Sequence, residues 1–558
     1  MHSYAPFEAY RLPPLDHLAP HLYMTCSASF PLQDTAKGIS ALEEGVHHLV
    51  NNFPFLSGNI VSTNPAGKVN VREVRPSNAQ RLNACPMLSK KAHPQSISCL
   101  RDPEFSHDNF SALPNVLKDD YNPLIRFQAN EMRDGIILTT FFSHAAIDAV
   151  GFSNILSALA SFCQSRPNPA LLSSSKEQER ARRRIHAIEQ GIMAVSNEKG
   201  YGSNFELSSK CTGRKLVFQT TKLEHLREMC QNYHEWISDQ NSEAEPVSLN
   251  DVASGIIWLC VVRARAKANG PSFSTTQPSF MAMARDIRLM LGGLIPRDYL
   301  GNALVFPSTS YPVSAMLEKA SSIFGPVIDL AFRAQKTRKS VDDDHVRSII
   351  GHVQASHDWG SFGLKLPEVG FSNLRHTNFY GMNFGPNLGY MDRFEVSAPQ
   401  AAGLCWFLPA RTAKEGPSSP WELCLVLEED AWAYLEADPL IQWVSGEASQ
   451  YICEFMAVHK GEKAKRAKFS PPPDPPYVDF PLCAVCQCDF VANTPYGYRL
   501  YDCKPSQDAP YGYWLYDYNP SPGLYPATDV ENMIFWDVSE RWTLYRMSTV
   551  TYLDPSHI

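Results

Sequence analysis

The stretch Gly135-Ile136-Ile137-Leu138-Thr139-Thr140-Phe141-Phe142-Ser143-His144-Ala145-Ala146-Ile147-Asp148-Ala149-Val150-Gly151 divides into two parts. Ile136 to Phe142 is apolar, β-branched and aromatic, the composition of a buried strand. Ser143, His144 and small residues follow, before a helical pattern that begins at Ile155. An imidazole therefore stands at a strand end, where the strand fixes its position and the adjoining loop gives access. The His-x-x-x-Asp spacing of His144 and Asp148 is the first chemical clue, although roughly one such pair is expected by chance in a chain this long. A core histidine bonded to a backbone carbonyl accounts for an isolated His144 equally well, so the rest of the chain has to decide.

At 558 residues and 62.5 kDa the chain exceeds what one hydrophobic core organises, and two large domains plus extensions are expected. Hydrophobic residues make up 44% and charged residues 19%, as in an ordinary soluble globular protein. The net charge of -8 lacks the basic excess that tracks phosphate backbones, which argues against nucleic acid as a partner. The longest strongly apolar run, Gly255 to Val262, falls far short of the ~20 residues that cross a bilayer. Met1 to Asp16 has no charged segment followed by an apolar one, and Asp554 to Ile558 matches no peroxisomal or retention address. The 14 cysteines show no regular framework before the last part of the chain, and Cys163, Cys230, Cys260, Cys424 and Cys453 lie in apolar patterns. Buried free thiols of a reducing, cytoplasmic compartment are the expectation.

Working outward from the opening stretch, Leu22 to Phe30 reads as a first strand. A helix capped by Asp34 runs through Leu42, Val46 and Leu49 and stops at Pro54. Asn59 to Val61 reads as a short second strand and Asn122-Pro123 opens a short apolar stretch to Ala129, an α/β order with His144 at the end of an internal strand. From Arg166 to about Cys211, prolines, a serine run and the charge cluster Lys176 to Arg184 mark a crossover, the cluster reading as a solvated helix face. The second half restarts with a strand at Arg214 to Gln219 and a helix from Leu223. Ser248 then caps the apolar helix Ala253 to Arg265, and Met281 to Arg288 reads as a strand. Helices are expected over Pro312 to Ala334, Asp343 to Ala355 and Glu429 to Val444, strands at Leu404 to Pro409 and Glu422 to Leu427, and a loop-rich segment from Phe371 to Gly389.

Several separated phrases agree with one family. They are Leu15-Asp16, Pro54-Phe55-Leu56-Ser57-Gly58, His144-x-x-x-Asp148 with Gly151, and Asn250-Asp251 with Trp258. Asp286-x-Arg288 and Pro296-x-Asp298-Tyr299-x-Gly301-Asn302 follow, then Ser372-Asn373, Tyr380, Asn383-Phe384-Gly385-Pro386-x-x-Gly389, Leu408-Pro409 and Glu429-Asp430. On this ordered set, from about Leu12 to Tyr451, the chain resembles the BAHD acyltransferases, and within them the fungal trichothecene 3-O-acetyltransferase-like branch. The departures are Asn383 for the family's aspartate, Asn387 for a glycine, Leu374 for a tryptophan, Met290 for an arginine and Ala149 for a glycine.

The resemblance implies an α/β fold of two similar domains, each a mixed β-sheet with flanking helices as in chloramphenicol acetyltransferase. The expected divisions are an N-terminal domain at 1–175, a crossover at 176–213, a C-terminal domain at 214–458, and an extension at 459–558 that is expected to be poorly ordered. It implies transfer of an acyl group, acetyl first, from acyl-CoA as cosubstrate to the hydroxyl of a small specialised metabolite, by a monomer with no bound cofactor and no metal. An alcohol is a poor nucleophile at neutral pH, and a histidine with an ordinary pKa near 6.5 is suited to take its proton during attack. His144 is the expected base, transferring directly without an acyl-enzyme, and Asp148 is the second candidate catalytic residue.

A triad reading has Asp148 orient His144, yet a residue four positions on in a short turn need not point to the same side. The resemblance implies instead that Asp148 pairs with Arg288 and holds the loop's shape. It places Ser372 and Asn373 along the coenzyme tunnel, as candidate donors to the developing oxyanion, and Asn383, Phe384 and Gly385 in a structural loop at the domain junction. There an amide for a carboxylate removes a charge but can keep a hydrogen bond. An N-acyltransferase or condensation-type enzyme uses the same histidine logic, and the departures leave a non-catalytic binding protein as a third reading.

After Ala457 come a basic run, Lys460 to Lys468, and the stiff segment Pro471 to Pro476, outside the resemblance. Pro-Tyr-Gly-Tyr-x-Leu-Tyr-Asp then occurs at Pro495 to Asp502 and again at Pro510 to Asp517, too few copies for a solenoid. Cys483, Cys486, Cys488 and Cys503 lack the paired spacing of a zinc ribbon.

Overall fold

The strand Gly135–Ser143 is buried at every residue and lies at the centre of a five-stranded mixed sheet. The sheet order is Arg393–Ser397, Tyr23–Pro31, Gly135–Ser143, Ile125–Met132, Leu88–Ala92, antiparallel except for the last pair. A central strand meets packing on both faces, which is why its sequence is continuously apolar. The computed structural model describes residues 4–101, 110, 121–164, 173–188, 210–237, 246–318, 324–363, 367–397, 401–411 and 418–446, and five strands beyond them. All of these up to residue 446 belong to one compact unit, and the five later strands to a second.

Helices Thr35–Asn52 and Ala149–Phe162 pack together and cover the first sheet. Asp34 caps the first of them by accepting from the Lys37 N–H at 3.1 Å. The second starts at Ala149, six residues before the apolar period becomes visible, because Asp148 itself supplies the cap.

The second sheet has six strands in the order Ser308–Pro312, Pro278–Met283, Val369–Asn373, Leu404–Phe407, Trp421–Glu428, Cys211–Phe218. Its inner pairs, Val369–Asn373 with Pro278–Met283 and with Leu404–Phe407, are parallel, and the outer pairs are antiparallel. Helix Leu249–Asn269 is apolar nearly all round and sits between other elements, with the Gly325–Lys339 and Glu429–Glu436 helices against it. Ser248 and Asp251 form a reciprocal capping box at its start. Trp258 is fully buried, and its indole N–H donates to Ser279 Oγ at 2.8 Å. The strand Arg393–Ser397 comes from the second half of the chain yet completes the first sheet, so the two halves interlock.

Several expected elements differ in detail. Ser372 and Asn373 end a buried parallel strand where a loop is expected, since five residues inside a sheet need few apolar side chains. Glu429 to Val444 is two helices, Glu429–Glu436 and Pro439–Ser445, because Pro439 cannot continue the first, and Asp438 caps the second. Pro312 to Ala334 opens on a strand end and contains the short helix Val313–Leu317 and the start of Gly325–Lys339. The crossover helix Ser175–His186 is only partly solvated, with Gln178, Ala181, Arg182 and Ile185 buried. The Arg182 guanidinium lies 3.9 Å from the centre of the Tyr10 ring.

The Asn383-Phe384-Gly385 turn keeps the hydrogen bond expected of it. Asn383 Oδ1 accepts from the Gly385 N–H at 2.9 Å, and Phe384, fully buried, meets the Phe30 ring edge-on at 4.9 Å. Positive φ occurs here at Gly385 and Gly389 and not at Asn387, so the asparagine there is conformationally ordinary. Leu374 is buried in the core.

In the second unit, Cys488–Asn493, Tyr498–Cys503, Gly512–Asp517, Asn532–Asp537 and Trp542–Arg546 form an antiparallel sheet in sequence order. The two copies of the repeat are neighbours in it, with Leu500 opposite Leu515 and Asp502 opposite Tyr513. Cys488 and Cys503 are register partners, while Cys483, Cys486 and the proline-rich segment lie outside the described residues.

Gly385 has φ +86°, and a Cβ there would lie 2.7 Å from the Cys163 backbone oxygen. Gly385→Ala is expected to cost about 1–3 kcal/mol, read as a lower urea midpoint by tryptophan fluorescence.

Candidate active site

His144 extends the central strand by one residue. Its N–H donates to the Leu22 oxygen at 2.9 Å, and its own backbone oxygen accepts from Asn302 Nδ2 at 2.9 Å. Ala146 and Ile147 then turn back to donate to the Ser143 oxygen. With both backbone groups held, the ring is presented from a fixed point into a cavity between the two sheets. The walls include Leu22, just before the strand Tyr23–Pro31, Met24 of that strand, and Met283, Phe371 and Trp406 of the second sheet. His144 and Ser372 are the polar side chains lining it.

Burial lowers the His144 pKa below the ordinary histidine value, and this outweighs its own backbone carbonyl, the Asp148 charge and the Asn302 side chain, which all favour a ring proton. The shift favours the neutral imidazole, the state a general base needs.

Asp148 is fully buried and spends its carboxylate elsewhere. Oδ1 accepts from the Gly151 N–H at 2.7 Å and from Arg288 Nη2 at 2.8 Å, and Oδ2 accepts from the Ala303 N–H at 2.8 Å. Among the described residues none of its hydrogen bonds goes to the His144 ring. Arg288, 2% exposed, also donates to the Tyr299 and Gly301 oxygens at 3.0 and 2.9 Å and to Asp286 at 2.8 Å. Burial alone would lower the Arg288 pKa, but the two carboxylates outweigh it and hold it above its ordinary value. The pair thus clamps the turn after His144 to the 299–303 segment.

Of the two candidate tunnel residues, Ser372 lines the cavity. The Asn373 side chain instead donates to Asn250 Oδ1 at 2.7 Å and accepts from the Arg375 N–H at 2.8 Å. Ser143 is buried and is not part of the cavity wall. Ala149, in place of the family's glycine, contributes to the wall. Asn383 to Gly385 lie outside it. Among the described residues no group of three or more His, Cys, Asp or Glu side chains is placed to hold a metal ion, and no helix is long and apolar enough to cross a membrane.

Sequence reasoning assigned no part to Asp16 and Asn302 beyond membership of the motif set. Asp16 is fully buried, and its Oδ1 accepts from the Asn302 N–H at 3.1 Å and from Asn302 Nδ2 at 2.7 Å. Burial pushes the Asp16 carboxyl up to about 7, against the Asn302 hydrogen bonds and the Arg72 charge. A lone acid in the phrase Pro13-Pro14-Leu15-Asp16 was the available signal.

A family model described as Transferase family matches residues 6–439. The chain belongs to this family, the BAHD acyltransferases. The communesin N16 acyltransferase of Penicillium expansum is 28% identical over 470 residues, covering 78% of this chain and 98% of that protein. The fumigaclavine B O-acetyltransferase of Aspergillus fumigatus is 26% identical over 486 residues, with 78% and 97% covered. Among solved structures, F. sporotrichioides TRI101 complexed with coenzyme A and T-2 is similar with a TM-score of 0.62 at 19% identity, covering 78% of this chain and 99% of that one. Vinorine synthase is similar with a TM-score of 0.54 at 14% identity, with 77% and 93% covered. The two-part mixed-sheet α/β fold of this BAHD chain is that of these acyltransferases.

Removing one partner of a buried pair strands the other charge. Arg288→Ala is therefore expected to cost about 3–5 kcal/mol in urea unfolding. Asp286→Ala, at a carboxylate side chain 39% exposed, is expected to cost under about 1 kcal/mol.

Proposed function

We propose that this BAHD enzyme is an acyl-CoA-dependent O-acyltransferase, acetyl-CoA being the first donor to test, that acylates a hydroxyl of an apolar specialised metabolite. The observation that carries the reading is a neutral, position-locked His144 opening into a largely apolar cavity. The named activities of the relatives, the fumigaclavine B O-acetyltransferase among them, and the coenzyme A bound in the TRI101 structure support it.

His144 Nε2 takes the hydroxyl proton as the alcohol oxygen attacks the thioester carbonyl, and the proton passes to the departing thiolate when the tetrahedral intermediate collapses. No acyl-enzyme forms. Ser372, at the cavity wall, is the side-chain donor we assign to the oxyanion. Asp148 and Arg288 act by holding the turn. Asn373 acts at a distance, through Asn250. Residues 459–558 form a separable extension in this reading, and truncation after Val458 is expected to leave a soluble, active remainder.

An N-acyl reading has one specific support, the N16 position in the name of the communesin relative. A deprotonated amine needs less help from a base than an alcohol does, so loss of His144 separates the two by magnitude.

With radiolabelled acetyl-CoA and a panel of apolar alcohols and amines, transfer to an alcohol is expected. His144→Ala is expected to lower kcat by about 10²–10⁴-fold. Unaltered turnover in that variant would remove His144 as base, and donor binding with no acceptor ever acylated would favour a binding protein. The plot of kcat/KM against pH is expected to fall on the acid side with a midpoint below the ordinary histidine value of about 6.5, because protonation of a base whose pKa is lowered by burial requires more acid.

A further inference from the structure

The second sheet meets the cavity with a shelf of small side chains. In the parallel register of three neighbouring strands, Gly370 stands between Ala282 and Leu404, and Ser372 stands beside Trp406. Successive residues of a strand point to opposite faces, so Gly370, Ser372, Leu404 and Trp406 share one face with Ala282. Residues of the opposite parity show which face this is. Asn373 reaches helix Leu249–Asn269 through Asn250, and Ser279 accepts from Trp258 of the same helix. The shared face therefore looks away from that helix, and its residues line the cavity that His144 also lines. Ala284 lines it too. Its N–H donates to the Phe371 oxygen at 2.8 Å, which carries the ladder one step past the strand end and sets Ala284 beside Ser372.

One position would leave a pit in this shelf, and it is filled. A Cβ on Gly370 would lie 2.9 Å from Leu404 Cδ2, so the leucine side chain lies down over the glycine. Ala282 and Ala284 add only a methyl group each, and Ser372 a hydroxymethyl. The floor is level across three strands and two rows, roughly 10 Å by 7 Å, the footprint of a fused bicyclic ring. Trp406 ends one row with an aromatic ring that a flat π-system can meet edge-on or offset. A planar ring keeps all its atoms in van der Waals contact with such a floor. A puckered ring is held off by its axial hydrogens, and a gap of about 0.5–1 Å forfeits a quarter to a half of each contact.

We propose that this floor selects the acceptor: it takes an alcohol carried on a planar, fused-ring system, and Gly370 with Leu404 over it sets the floor's level. The turnover part of this inference rests on the O-acyltransferase reading above, and the binding part does not.

The test compares two primary alcohols of one skeleton, 2-(2-naphthyl)ethanol and its fully saturated decahydro counterpart, with the full chain and acetyl-CoA. A cavity that is merely apolar favours the saturated compound, which has the larger apolar surface. The level floor is expected to favour the naphthyl compound at least ~10-fold in kcat/KM, within the range that one misplaced methylene commands. Gly370→Ala is expected to lift the Leu404 side chain into the cavity and to cut that preference about 10-fold or more. Adding Leu404→Ala is expected to return most of it, because the new methyl then fills the pit in place of the leucine. Calorimetric titration of both alcohols, without donor, measures the same preference as a ratio of Kd values.

Equal turnover of the two alcohols, or a preference for the saturated one, overturns the proposal in the wild-type protein, with no variant needed to fold. A naphthyl preference that folded Gly370→Ala leaves intact, or that Leu404→Ala does not restore, overturns the part assigned to Gly370 and Leu404. Tighter binding of the naphthyl compound in a protein that acylates neither alcohol leaves the floor standing and overturns the O-acyltransferase reading. Failure of both compounds to bind overturns the floor.

Discussion

The ion pair of Asp148 and Arg288 is the constraint on which the site depends. Taking both charges out of water costs several kcal/mol per ion, and a buried pair recovers that only when its remaining hydrogen-bonding capacity is filled. Here it is filled from two stretches of backbone: Asp148 accepts from the helix N-terminus at Gly151 and from Ala303, and Arg288 donates to the Tyr299 and Gly301 carbonyls. The turn that follows His144, the start of helix Ala149–Phe162 and the 299–303 segment cannot move independently. A Cβ at Gly151 would run into the Leu300 backbone oxygen, so this contact is also closed sterically.

That clamp explains why the aspartate of His-x-x-x-Asp lies four residues from the histidine and yet makes its hydrogen bonds elsewhere. A triad aspartate has to leave a carboxylate oxygen for the imidazole, and both oxygens of Asp148 are committed to backbone N–H groups and a guanidinium. Burial disfavours a proton on the imidazole, while its own backbone carbonyl, Asp148 and the Asn302 side chain favour one. One motif thus divides into a presented ring and an anchor, and the anchor holds the segment that carries Asn302 as well. Asn302 in turn binds the His144 backbone oxygen and Asp16, so the amino-terminal segment is tied into the same assembly.

Much of this was legible where local chemistry and tertiary role coincide. Asp34 caps its helix, the helix Asp343–Ala355 has the expected bounds, and the apolar run before His144 is the central strand. Legibility failed where a residue serves a distant partner. The helix after Asp148 was read late because its cap is also an ion-pair partner, and its first turn faces the cavity and the 299–303 segment, without an apolar period. Ser372 and Asn373 read as loop because an interior parallel strand of five residues leaves too short a pattern. Asp16 was visible as a letter in a motif, but its burial depends on Asn302, 286 residues away, a distance that no local rule spans.

Desolvation at the cavity works in two directions on the chemistry. It lowers the His144 pKa, which favours the neutral ring but makes it an intrinsically weaker base. The same dry environment strengthens every dipole aimed at the reacting atoms, so charge that develops on the imidazolium is answered by the buried carbonyl, Asp148 and Asn302 groups that already favour a ring proton. An apolar acceptor suits this balance. In the proposed reaction it would fill the space between Leu22, Met24, Phe371 and Trp406 and present its hydroxyl to His144. A strongly hydrated acceptor would have to leave its hydrogen bonds outside a wall with few groups to replace them. On the proposed reading, polarity of the acceptor away from the reacting hydroxyl is therefore disfavoured.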